Sequence, residues 1–166
     1  WGTAESDTCG AETAYSVGDL GKCTGVAWNL IGNEQCNGNS KAGANFGVIG
    51  DEPAFVTVGF SGHLQGLITA SGSASGEFSL DIVVENRDTG AEYRENVKSH
   101  STDIVGFKWY HENISPSITA ELDPDDDYRT FLELDITAEV TGIGEVTVDF
   151  GPQDNDEGHV KFDTIE

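Results

Sequence analysis

The chain has 166 residues, of which 30 are acidic and only eight are Lys or Arg, a formal charge of −22. That length suits one domain with a real hydrophobic core. The charge argues against nucleic acid and anionic membrane surfaces as partners, because phosphate is repelled, and no apolar run approaches the roughly eighteen residues of a membrane-spanning helix.

The acids are scattered along the chain and not gathered in a tail, while lysine is confined to Lys22, Lys41, Lys98, Lys108 and Lys161. In dilute buffer such a charge pushes the compact state apart. At molar salt the screening length falls to roughly 3 Å and the charge becomes tolerable. The composition therefore predicts a surface from an extreme halophile, in a high-salt setting: extracellular, on the cell surface or in a virion. The sequence contains no Met and begins at Trp1, which predicts that a signal peptide has been cleaved.

Residues 1–50 show weak periodicity and many turn-forming residues, among them Gly10, Gly18, Gly21, Gly25, Gly32 and Gly38. The expectation is a Cys-containing, loop-rich N-terminal segment. One apolar piece, Val26 to Ile31, reads as a capped helical turn or a short strand. Cys9, Cys23 and Cys36 predict a disulfide staple, since there is no CxxC for zinc. Which pair bonds stays open, and the odd count leaves one thiol free or available between chains.

Residues 51–166 change to period two and predict a β-sandwich domain. Apolar and polar residues alternate over Val56–Phe60, Phe78–Val84, Val105–Trp109, Ile118–Leu122, Leu132–Val140, Val146–Phe150 and Val160–Phe162. Turn-forming clusters separate them: Ser71-Gly72-Ser73, Asp88-Thr89-Gly90, Asp123-Pro124-Asp125-Asp126-Asp127 and Gly151-Pro152. Strands at this spacing, with no long amphipathic helix, predict an all-β antiparallel sandwich or jelly roll. A shift of 68 residues superposes Leu64, Ile68, Ala70, Gly76 and Asp81 on Leu132, Ile136, Ala138, Gly144 and Asp149. Each copy reads as strand, small-residue turn, strand, acidic turn. Either two hairpins converged under the same constraints, or the sandwich is built from related halves.

The stretch from Tyr128 to Ile165, YRTFLELDITAEVTGIGEVTVDFGPQDNDEGHVKFDTI, resembles the C-terminal hairpins of small secreted β-sandwich proteins of haloarchaea. The resemblance covers about a quarter of the chain and implies habitat and fold more than activity.

No arrangement of residues amounts to a catalytic set, and the expectation is that the chain is not an enzyme. Asp88-Thr89-Gly90 matches the aspartic protease tripeptide, but Asn86 and Arg87 precede it where apolar residues should stand, so it reads as a turn. His63, His100, His111 and His159 are far apart in sequence and form no HExxH. There is no GxSxG. A calcium loop is the best metal candidate: Asp154, Asp156 and Glu157 precede Gly158 at alternating oxygen positions, with Asp123 and Asp125 in a second acidic turn. A solvated turn is the competing reading. Asn113-Ile114-Ser115 is an N-glycosylation sequon, followed by Pro116. Trp109 and Tyr110 are adjacent, so one ring faces outward, to stack on a sugar, seat a neighbour, or lie under the first 50 residues.

These features predict a structural subunit of an extracellular assembly, a filament, pilus, capsid or decoration protein, whose partners are copies of itself. The alternative is a secreted glycan-binding β-sandwich module with an aromatic platform at Trp109 or Tyr110 and a structural Ca²⁺. A small hydrolase with a site invisible at this level is the third reading.

Overall fold

A computed structural model describes residues 2–6, 11–16, 22–102, 106–150 and 159–165, with side chains described over 35–102 and 106–150. Among the described residues it contains nine strands and no helix: β1 (Gly2–Ser6), β2 (Ala11–Ser16), β3 (Lys22–Gly47), β4 (Ala54–Asn86), β5 (Glu92–Thr102), β6 (Gly106–Ile114), β7 (Ser117–Leu122), β8 (Asp127–Asp149) and β9 (His159–Ile165). All pairings are antiparallel. The all-β antiparallel sandwich expected from the alternation is the fold of the chain.

Three strands are far longer than an ordinary strand of about six residues. Each serves two layers. The long strand β8 lies between β3 on one edge and β4 on the other. Halfway along, the ladder shifts register at Asn29/Ile31 on β3 and at Gly72/Ala74 on β4. Gly72 has φ of +66° there, a left-handed conformation that side chains with a Cβ disfavour. Bends and bulges of this kind let a strand pass from one sheet of a sandwich to the other. The first layer holds the second half of β4, the first half of β8, β5 and the C-terminal half of β3, to which β1 is paired. The second layer holds the other halves with β2, β6, β7 and β9.

The layers meet through one buried apolar interior. Phe78 of the first layer lies 4.9 Å from the Tyr110 ring and 4.6 Å from the Phe150 ring of the second. Gly76 sits so close under Ile68, Val146 and Val148 that an added Cβ would come within about 3.0 Å of their methyl groups. Leu64, Ile68, Leu80, Ile82, Leu132, Leu134 and Ile136 complete the core. The alternation in the sequence sends these residues inward and the acids outward.

Two expectations change in the structure. Ser71-Gly72-Ser73 does not end a strand but forms the corner of one continuous strand, β4. The 68-residue repeat accordingly marks two long strands paired with each other through one shared corner, with Gly72 opposite Gly144. The N-terminal segment, poor in periodicity, contributes β1, β2 and the 26-residue β3. Its small residues hid the pattern: Gly43, for example, lies against the β8 backbone, where a Cβ would collide with the Thr130 carbonyl and with Phe131. The change of pattern near residue 50 coincides with the connection between β3 and β4.

Candidate functional site

Strand β6 runs along β4 with Phe107 opposite Thr69, Trp109 opposite Leu67, His111 opposite Gln65 and Asn113 opposite His63. Period two sends these residues to the outer face of the second layer and Tyr110 and Ile114 to the core. On the same face β8 continues the rows with Thr147 opposite Thr69 and Asp149 opposite Leu67. The result is an outward surface of two large rings bordered by hydroxyl, amide, imidazole and carboxylate groups. Phe107 is 63% and Trp109 57% exposed, and their ring centroids lie 5.7 Å apart in an edge-to-face pair. His63 and His111 pack edge-to-face at 4.6 Å, and His63 Nδ1 lies 3.0 Å from Asn113 Oδ1.

The two adjacent rings form an exposed apolar patch larger than a single side chain. An aromatic face stacks on the C–H face of a sugar while neighbouring polar groups bond its hydroxyls. Trp109 supplies the outward ring expected from the adjacent pair. Tyr110 does not: it is 4% exposed and packed against Phe78 and Phe150. Lys108 Nζ stands 5.8 Å from its ring centroid. Burial, with the nearby Glu112 carboxylate, pushes its phenol up to about 12, so it remains an O–H donor at neutral pH. Its hydroxyl is buried and has no hydrogen-bond partner among the described residues.

Beside Trp109, at the side of the sandwich where β5 and β6 face each other, runs a groove of about 300 Å³. His100 of β5 lines it opposite Lys108, Tyr110 and His111 of β6. A second groove on the same side, about 420 Å³, passes under Val97 and Ile114. Two ties cross this side: Lys98 Nζ to Glu112 Oε1 at 2.9 Å, and the Tyr93 hydroxyl donating to the Glu121 carbonyl at 3.1 Å.

The outer face of the first layer is a polar network instead. Glu133 on β8 receives Lys41 at 2.8 Å, Arg94 at 2.6 Å and the Asn39 amide at 2.6 Å. Burial alone would raise its carboxyl, but the bonds from Lys41, Asn39 and Arg94 outweigh that and hold it below the usual range. Asp135 is raised, by burial first and by Glu133 and Asp81 next, against one bond from Asn39. Phe131 lies beneath two cations, with Lys41 Nζ 5.3 Å and the Arg129 guanidinium carbon 5.7 Å from its centroid. Glu133 and Asp81 hold strands together here, while Asp135 lines a cavity of about 530 Å³ with Glu77, Ser99 and His100.

The remaining sequence candidates fall in three places. Asp123 and Asp125 sit in the β7–β8 turn, where the Asp125 N–H donates to Asp123 Oδ1 at 3.0 Å and the Asp123 N–H to the Tyr128 hydroxyl oxygen at 2.8 Å. That turn is tied to Asp88-Thr89-Gly90 by the Asp127 N–H donating to Asp88 Oδ2. These carboxylates act as turn caps, and no group of three His, Cys, Asp or Glu among the described residues could hold a metal ion. Asp154, Asp156 and Glu157 lie outside the described residues, as does Cys9. Cys36 is buried on β3, the strand that also carries Cys23. Asn113 is exposed at the end of β6, on the same outer face as Trp109. Sequence reasoning missed Phe107, whose i, i+2 relation to Trp109 was the available signal. It also missed the His63–His111 pair, which only the β4–β6 register brings together.

No family model and no curated protein matches the chain. Among solved structures it is similar to the N-terminal modules of endo-1,4-β-D-xylanase 10B from Clostridium thermocellum complexed with xylohexaose, at 14% identity and a TM-score of 0.33. That match covers 88% of this chain and 25% of the other, so the chain spans a quarter of that structure's length. A carbohydrate-binding module of the β-sandwich superfamily is 9% identical with a TM-score of 0.37, over 96% of this chain and 57% of that one. The family 11 xylanase from Neocallimastix patriciarum is 13% identical with a TM-score of 0.40, over 87% of both chains.

Proposed function

We propose that the protein is a secreted glycan-binding β-sandwich module that works in high salt, with Phe107 and Trp109 as its stacking platform. The observation that carries this reading is the exposed ring pair on a sheet face whose neighbours, Gln65, His111, Asn113, Thr69 and Asp149, offer hydroxyl-bonding groups of both kinds. The sheet fixes the rings from below, so little ordering entropy is lost on binding.

The test is isothermal titration against a panel of soluble oligosaccharides, xylohexaose among them, in about 3 M KCl where the acidic surface is screened. Trp109→Ala and Phe107→Ala are each expected to weaken binding roughly tenfold or more, with the melting temperature unchanged. Absence of binding across the panel, or binding that survives both substitutions, sinks the reading.

A second reading, a self-assembling structural subunit, has one observation in its favour. Among the described residues β5 pairs only with β4, and β6 and β7 only with β4, leaving backbone edges for another chain to extend. Light scattering in the same salt separates the two: a monomer of 17.7 kDa supports the binding module, and large ordered particles support the subunit.

A further inference from the structure

Only eight Lys and Arg occur in the chain, yet two of them, Lys98 and Lys108, line one groove between β5 and β6 that also holds His100 and His111. The one acid in that lining, Glu112, is engaged by Lys98 at 2.9 Å. Lys108 makes no ion pair with a described residue and stands over the Tyr110 ring. His100 and His111 add two imidazoles to the same lining. The groove opens beside Trp109, at the margin of the ring platform.

From these groups we infer that the β5–β6 groove is a subsite for an anionic group, and that the glycan stacked on Trp109 carries carboxylates, as a uronic acid polymer does. This rests on the glycan-binding reading above. A carboxylate accepts a short charge-assisted bond from the Lys108 ammonium, with the imidazoles of His100 and His111 alongside. The overall charge of −22 does not oppose this at molar salt: screening confines each charge to about 3 Å, so the groups in direct contact decide the sign that the ligand meets. The subsite discriminates by charge and the platform by shape.

Two probes, an oligogalacturonate and xylohexaose of the same length, are titrated into the intact chain in about 3 M KCl. The wild type is expected to prefer the oligogalacturonate by roughly tenfold. Lys108→Gln is expected to erase most of that preference and leave xylohexaose affinity unchanged. Equal affinity for both probes, or a preference that Lys108→Gln retains, overturns the subsite while leaving the platform standing. If neither probe binds, and Trp109→Ala changes nothing, the subsite and the glycan reading fall together.

Discussion

Arg94 on β5 reaches over β4 to Glu133 on β8, Nη2 to Oε2 at 2.6 Å, and holds Asp81 of the intervening strand at 2.8 Å on the way. One guanidinium therefore fastens three neighbouring strands of the first layer. Arg94→Met keeps the apolar stem and removes the fork. The guanidinium is partly exposed, which discounts its worth, whereas Glu133 is nearly buried and would keep only Lys41 as a cation. A loss of about 2 kcal/mol is expected in urea unfolding at neutral pH. Glu133 titrates below its ordinary range, so this network stabilises above the usual carboxylate pKa and fails as acid drives the pH down through the depressed folded value. The penalty for Arg94→Met should shrink over that acid window.

Asp135 carries the opposite sign. Its folded carboxyl titrates above the ordinary aspartate value because of burial and of Glu133 and Asp81 nearby. Its contribution is fully favourable below the unfolded pKa and is lost as pH rises through the folded one. Asp135→Asn retains an acceptor for the Asn39 amide, which now donates to Oδ1 at 2.6 Å. Thermal unfolding should show the variant more stable than wild type at neutral pH and the gain vanishing in acid. A variant that is less stable at neutral pH would contradict the assignment.

At the corner, Gly72→Ala meets two obstacles: φ of +66° and an added Cβ 2.3 Å from the Ile143 carbonyl oxygen. The expected cost is about 2 kcal/mol or more, read as a lower urea midpoint at fixed salt. Gly90 provides the comparison, with φ of +74° but open space around its Cβ position. Gly90→Ala should cost only the backbone part.

Phe78→Ala removes the ring that joins the layers at Tyr110 and Phe150. A loss of about 3–5 kcal/mol follows from the cavity it leaves. The change is measurable by the same urea titration.

Most of the strands were legible because their partners in the core are large. Leu132, Leu134 and Ile136 alternate with Glu133 and Asp135, and that pattern alone orients β8. The corner at Gly72 was read as a turn because small residues serve both purposes; only the pairing with Gly144 distinguishes them. β3 was illegible for a related reason, since Gly38, Ser40, Ala42 and Gly43 are buried without the bulk that marks a core face. Of the candidate site, Trp109 could be read locally. The rest depends on which strands meet: His63 is 48 residues from its neighbour His111, and no period in the sequence records that.

Because β8 fills the space between β3 and β4 over its whole length, the chain cannot mature in the order it is made. A ribosome would release β3 and β4 long before residue 127, each with one long edge waiting for the same absent neighbour. Contacts so distant in sequence form slowly, and waiting edges invite other chains. The scattered acids then acquire a second use: charged side chains along a waiting edge make it a poor template for another copy until the last quarter of the chain arrives to close it.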